Sequence, residues 1–228
     1  MQAQARVAEL SSIGERMVAR LECAGSLAPA PGCYILAHEQ GSSAPLSTAL
    51  FAADYGPTGF SACPPFPAEW RPGTVLHLRG PLGRGFQIPP ASRRAALVSL
   101  SNDAMRLLPL ARAALRQDAA VALVCDDALP DLPPQIEIQP LSALREVCGW
   151  CDYAALDVDI ESLNGAARNF LLQARFPSAT TAQALVRAPM PCGGLAACGV
   201  CSVRTTKGTK WACLDGPVFD LHLLLTER

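Results

Sequence analysis

Four cysteines crowd the last 37 residues in the order Cys192-x5-Cys198-x2-Cys201-x11-Cys213. Three lie on one Gly-rich loop and the fourth follows a hairpin-like stretch, so their thiols can converge on one metal centre. Thiolate ligands suit iron–sulfur clusters and zinc, and suit hard cations poorly. No other stretch of the chain points as directly to a chemistry.

The loop composition bears on which metal. A plant-type [2Fe–2S] site uses C-x4-C-x2-C with a distant fourth cysteine. Here the first gap is one residue longer, while the x2 gap and the remote fourth ligand agree. Gly193, Gly194 and Gly199, with Ala196 and Ala197, keep side chains small, so backbone N–H groups can approach cluster sulfurs and tune them. A zinc ribbon more naturally carries two C-x2-C knuckles, and only Cys198 and Cys201 make one. A [2Fe–2S] cluster is the leading reading; a structural zinc on the same four cysteines, or no metal at all, are the alternatives.

The rest of the chain sets bounds. Its 228 residues are half hydrophobic and only 17% charged, enough for a sizeable core and for more than one domain. A net charge of −1, with no basic run, argues against nucleic acid as a partner. No apolar stretch reaches the 18 or so residues that span a bilayer, and the N-terminus lacks a signal-peptide core. A cytoplasmic protein is expected, with no membrane partner. In that compartment ten cysteines read as metal-binding or reduced and buried rather than cross-linked.

Three regions separate by pattern. Residues 1–90 hold short β-prone runs (Cys33–Ala37, Thr48–Ala52, Thr74–Leu78) split by turn signals, which predicts an antiparallel sheet or small barrel. The first twenty residues are ambiguous: Val7, Leu10, Ile13 and Met17 have helical spacing, whereas Met17, Ala19, Leu21 and Cys23 alternate like a strand. Residues 91–175 predict strands at Ala95–Leu100, Ala120–Cys125, Gln135–Gln139 and Tyr153–Val158. Helices are expected at Asp103–Gln117, Ser142–Val147 and Ile160–Ala174, with Asp103 as an N-cap. This alternation predicts a parallel α/β sheet. Residues 176–228 form the cysteine module, with β-like segments after Cys201 and Gly216.

Three strings in this order resemble one family. Cys213-Leu214-Asp215-Gly216-Pro217-Val218-Phe219 looks like a CxDGPVF tail behind a cysteine loop. Pro72-Gly73, followed by Gly80-Pro81-Leu82-Gly83-Arg84-Gly85-Phe86, is similar to G-D-x-L…G-P-L-G-x-G-F. Pro31-Gly32-Cys33-Tyr34 stands where the family has P-G-Q-F. The family is the iron–sulfur electron-transfer subunit of class 1B dihydroorotate dehydrogenase, within the ferredoxin-reductase superfamily. The resemblance implies a multi-domain α and β fold: an FAD-binding-type antiparallel β-barrel over 1–90, a Rossmann-like α/β domain over 91–175 and a [2Fe–2S] module over 176–228. It also implies electron relay between that cluster and a catalytic dihydroorotate dehydrogenase-type flavoprotein in a hetero-oligomer, in pyrimidine biosynthesis. In the family, FAD and NAD complete the relay.

The chain departs from the family at both nucleotide sites. The flavin motif R-P-[FIL]-S reads Ala44-Pro45-Leu46-Ser47, so Pro45, Leu46 and Ser47 are the candidate FAD residues. Ala44 removes the Arg that would grip the pyrophosphate. The dinucleotide turn reads Val98-Ser99-Leu100-Ser101-Asn102-Asp103-Ala104 without a glycine, and an Asp at the helix start repels phosphate. The family's C-G-P-x-P-M segment is replaced by Asp159-Ile160-Glu161-Ser162-Leu163. FAD is therefore a weakened expectation and NAD is not expected. No catalytic residue is assigned, and a non-redox structural or regulatory subunit holding zinc is the competing function.

Other features take plain readings. Cys148-Gly149-Trp150-Cys151 follows a helix rather than starting one, so its thiols lack the activation of a redox dithiol and read as structural. His38, His77 and His222 show no ligand spacing. Trp211, two residues before Cys213, is expected to pack over the cluster loop.

Overall fold

The structure is a computed structural model; it describes residues 2–13, 16–101, 103–126, 129, 132–165, 168, 171 and 176–225. Among them no helix is long and apolar enough to cross a membrane.

The N-terminal region settles as strand. β1 (Gln2–Ile13) and β2 (Arg16–Glu22) pair antiparallel, with Leu10 opposite Ala19. The helical spacing of Val7, Leu10 and Ile13 is overridden because β1 also pairs with a second strand on its other edge. Ala19 and Leu21 face one core while Val18 joins another, so β2 is buried on both sides. Five further strands follow: β3 (Tyr34–Glu39), β4 (Thr48–Leu50), β5 (Ala52–Gly56), β6 (Gly59–Ala62) and β7 (Val75–Leu82). Their order is β4-β3-β7-β1-β2-β6-β5, all antiparallel. The two edge strands, β4 and β5, are consecutive in the chain and meet at Phe51. The sheet therefore curls around its own core of Val7, Leu21, Ile35, Leu50, Phe60, Trp70 and Leu76, as a barrel does.

The middle of the chain alternates strand and helix. β8 (Arg94–Ser99) leads through a 3-10 turn to α1 (Leu108–Leu115), then to β9 (Ala120–Val124), β10 (Ile136–Gln139), α2 (Leu144–Trp150), β11 (Tyr153–Asp159) and α3 (Ile160–Asn164). The helix expected from Asp103 is thus shorter and begins later. The Asp103 carboxylate still accepts the Met105 N–H at 3.0 Å and turns the chain into it. The helix expected over Ile160–Ala174 is described only as far as Asn164, and much of the remainder lies outside the described residues. A strand the sequence pattern did not signal, β12 (Thr181–Arg187), pairs parallel with β11.

β13 (Ser202–Thr205) and β14 (Gly208–Trp211) form a separate hairpin, and β15 (Val218–Asp220) runs into α4 (Leu221–Leu224). The second sheet has the order β10-β9-β8-β11-β12-β15, parallel except for β15 at its edge. β8 and β11 lie at its centre with both faces covered, which is why they read as unbroken apolar runs. Ala96, Val98, Leu156 and Val158 pack toward the cysteine module, whereas Ala95, Leu97, Tyr153 and Ala155 pack toward α1 and the barrel. One parallel α/β sheet is thereby wedged between barrel and cysteine module. The architecture is antiparallel sheet, α/β sheet and cysteine-rich C-terminal region, as the sequence predicts.

Candidate metal centre

The loop after β12 carries left-handed backbone where the sequence places its small residues. Gly193, Gly194 and Gly199 have φ of 64°, 75° and 74°, and Ala196 has φ of 55°. Left-handed backbone is open to glycine at little steric cost. The left-handed pair Gly193-Gly194 falls inside the gap that is one residue longer than in C-x4-C. A Cβ at Gly194 would stand 2.7 Å from the Tyr34 hydroxyl, so the loop also sits too close to the barrel for a side chain there.

That winding turns backbone N–H groups inward. Those of Ala197, Cys198 and Leu195 lie about the Cys192 sulfur, and together they pull its thiol down to about 6. The Ala196 N–H reaches Cys213 instead, whose thiol burial pushes up to about 11. Cys198 lies beside Cys192 and Cys201 beside Cys213, and Cys192 also stands close enough to help raise Cys213. Cys201 and Cys213 are buried, Cys192 is partly exposed and Cys198 is exposed.

The donor set bears on which centre the residues fit. A lone zinc needs its ligands about 2.3 Å from one point. Among the described residues no group of three or more His, Cys, Asp or Glu is placed to hold a metal ion as the loops stand. A [2Fe–2S] cluster takes four cysteines, two on each iron. Four thiols gathered under backbone N–H groups fit that donor set.

The barrel anchors the loops from below. Tyr34 on β3 donates from its hydroxyl to the Cys213 carbonyl at 2.9 Å, and the Arg79 guanidinium on β7 donates to the Gly193 carbonyl. Trp211 is half-buried against the core that includes Cys201 and Cys213, and its backbone N–H donates to Asp215 Oδ2 at 2.9 Å. Asp215 in turn lies 3.7 Å from Lys210.

The candidate flavin residues lie apart from this centre. Pro45, Leu46 and Ser47 occupy the connection between β3 and β4, with Leu46 exposed. Ser47 lines an open groove of about 470 Å³ with His38, His77 and Arg79. The strand that follows it contributes Thr48, Ala49 and then Phe51 to a second cleft of about 410 Å³, which neither Pro45 nor Leu46 lines. That cleft opens at the carboxyl ends of β11 and β12, next to the point where the chain leaves β8 in one direction and β11 in the other. Ligands of α/β sheets bind at such switch points.

Here the switch point is filled by charge that sequence reading missed. Asp157, with no exposure at all, accepts from Arg106 Nε at 2.8 Å and from Arg187 Nε at 2.7 Å. Arg106 is buried too, pairs with Asp103 at 2.7 Å and donates to the Pro64 carbonyl of the barrel at 3.1 Å. The signal available was an Asp inside the apolar run of β11, which a fully buried strand admits only with a partner. The Cys148–Cys151 pair is buried, and burial pushes these thiols up to about 12 and about 11.

Comparison with known proteins bears on the same loops. Residues 188–225, which include all four cysteines, match the family of the iron–sulfur cluster binding domain of dihydroorotate dehydrogenase B. The C-terminal module is similar to an iron–sulfur cluster binding domain. Several solved structures share the fold over most of the chain. The NADH-dependent reduced ferredoxin–NADP oxidoreductase structure is 18% identical with a TM-score of 0.73, over 97% of this chain and 90% of that one. The ferredoxin reductase in carbazole 1,9a-dioxygenase is 18% identical with a TM-score of 0.63, over 78% and 67%. The Amycolatopsis cytochrome P450 reductase is 17% identical with a TM-score of 0.56, over 82% and 71%. At these identities the likeness is one of fold. The fold is ferredoxin-reductase-like, and residues 188–225 resemble the iron–sulfur cluster binding domain of dihydroorotate dehydrogenase B. Among curated proteins no sequence matches.

Proposed function

We propose that this chain is an electron-transfer subunit holding a [2Fe–2S] cluster on Cys192, Cys198, Cys201 and Cys213. It relays electrons to or from a partner flavoprotein of dihydroorotate dehydrogenase type in a cytoplasmic hetero-oligomer. The observation that carries the reading is that all four cysteines fall on loops of one segment that matches a cluster-binding family, with backbone N–H groups about Cys192. Such a cluster supplies a one-electron carrier. The chain's own part is to hold it and set its potential. Ala197, Cys198 and Leu195 bring N–H groups about Cys192, and Tyr34 and Arg79 fix the loops to the barrel.

In this reading residues 1–90 act as the flavin-type barrel, 91–175 as a nucleotide-type domain and 176–228 as the cluster module, which lends β12 and β15 to the α/β sheet. FAD at Pro45–Ser47 is a separable part of the proposal. The cleft beside Ala49 and Phe51 is large enough for a planar ring system, and its size supports flavin. The phosphate end lacks a free cation there, because Arg106 and Arg187 are both spent on Asp157. The same carboxylates disfavour a dinucleotide at the switch point.

The test is to purify the chain anaerobically and co-express it with candidate dihydroorotate dehydrogenases. A brown complex that oxidises dihydroorotate while reducing the cluster supports the reading. A colourless protein with one zinc and no acid-labile sulfide replaces it with the structural alternative. Flavin released on denaturation decides the FAD part by itself.

A further inference from the structure

The outer face of the barrel holds the groove that Ser47 shares with two histidines and an arginine, about 470 Å³ in volume. Strand register builds it. Ala5, Ile35, Ala37 and Leu76 belong to the barrel core, so the alternate residues of β1, β3 and β7 line the outside. They fall into two rows. Gln2, Arg79 and Leu36 stand opposite one another in the first, and Gln4, His77 and His38 in the second. Ala37 pairs with Thr48, which brings Ser47 beside His38 and carries the second row to the start of β4.

The two rows offer different chemistry. No Asp or Glu is among the described residues that line the groove. Arg79 donates to the Gly193 carbonyl and meets no carboxylate among the described residues, so its charge is left for an anion, with the Gln2 amide beside it. In the second row His38 bonds the Ala44 carbonyl through Nε2 at 2.9 Å. A carbonyl only accepts, so Nε2 carries the proton and Nδ1 of the neutral ring keeps a lone pair. With His77, Gln4 and Ser47 alongside, this row both donates to and accepts from hydroxyl groups. Two residues of strand separate the rows, roughly 7 Å. That spacing suits a phosphate and the hydroxyls of a sugar on one small molecule. A few polar groups at fixed offsets in a concave site are what orient such a ligand.

We propose that this groove binds a phosphorylated sugar, with its phosphate against Arg79 and Gln2 and its hydroxyls against His77, His38 and Ser47. The site is separate from the cleft beside Ala49 and Phe51, with which it shares no lining residue. No cysteine lines it either, so it stands or falls apart from the electron-transfer reading.

The experiment is isothermal titration calorimetry of the whole purified chain with ribose 5-phosphate, inorganic phosphate, ribose and FAD. The expected result is that ribose 5-phosphate binds at one site, about tenfold tighter than phosphate, and that ribose binds more weakly than either. Gln2→Glu sets a carboxylate against the phosphate and weakens both ribose 5-phosphate and phosphate by about tenfold. His77→Ala weakens ribose 5-phosphate by about as much and leaves phosphate unchanged. Both residues are exposed, so these variants should melt with the parent. Arg79→Gln should abolish the binding of both anions; because it also releases the Gly193 carbonyl, Gln2→Glu is the deciding variant. No binding of ribose 5-phosphate at millimolar concentration, equal affinity for it and for phosphate, or an unchanged affinity in Gln2→Glu would overturn the proposal. FAD that binds the parent and is displaced by ribose 5-phosphate would assign the groove to the phosphate end of a flavin and overturn it as well.

Discussion

The Tyr34 hydroxyl bonds the carbonyl of Cys213, a residue 179 positions later, at 2.9 Å and out of contact with water. The bond joins the third barrel strand to the last cysteine, so the metal centre is tied to the barrel as well as to the α/β sheet whose strands β12 and β15 flank it. Tyr34→Phe deletes the donor and leaves a buried carbonyl unpaired, at a cost of about 1–2 kcal/mol. The expected outcome is a lower urea midpoint and iron loss to a chelator several times faster. A variant that holds iron as long as the parent would show the anchor to be idle.

The ten cysteines divide into two populations. Cys198→Ser and Cys201→Ser should each abolish the iron–sulfur absorbance, because each removes one of four thiolates. Cys148→Ala should leave it intact. With their thiols buried and pushed up to about 12 and about 11, Cys148 and Cys151 should resist iodoacetamide at pH 8 until the protein is unfolded. Mass spectrometry of native and denatured samples reads this directly; native labelling at Cys148 would mean a reactive dithiol.

Asp157 is the fully buried counter-charge of both Arg106 and Arg187. Asp157→Asn leaves two guanidiniums short of charge in a dry site, and breaking such a pair costs about 3 kcal/mol or more. In a chain of this size that is roughly 6–12 °C of melting temperature by calorimetry. A change under 2 °C would mean that water reaches the network.

Asp159 caps α3. Burial alone would raise its carboxyl, but the Ser162 N–H at 2.7 Å, the Ser162 hydroxyl and Arg187 outweigh that and hold it below the usual carboxylate range. A depressed carboxyl stabilises the fold above the unfolded value of about 4, and that stability is lost as pH falls through the folded value. Asp159→Ala should therefore cost about 1 kcal/mol at pH 7. The gap between variant and parent should stay constant down to about pH 5 and close in stronger acid. Denaturant titrations at pH 7, 5 and 3 measure it.

Much of this was legible because it is local. β8, β9 and β11 of the α/β sheet begin within a residue of where their apolar runs begin, since a strand buried on both faces needs no partner to be recognised. The cysteine spacing and the glycines around it were legible for the same reason: they encode one loop. What was not legible depends on residues far apart in sequence. Arg106, Asp157 and Arg187 meet across 51 and 30 positions, and each alone looks like surface charge. The N-terminal hairpin had two periods superposed, and only its second neighbour, β7, decided between them. β12 lies in TTAQALVR, whose Gln and Thr hid a strand that β11 and β15 cover from both edges.

The central claim is that the four thiols hold two irons rather than one zinc. Metal and acid-labile sulfide analysis of anaerobically purified protein, with electron paramagnetic resonance after dithionite reduction, tests it most directly. The account predicts two irons and two sulfides per chain, visible absorbance that bleaches on reduction, and one unpaired spin in the reduced protein. One zinc per chain, with no sulfide and no signal, would contradict it.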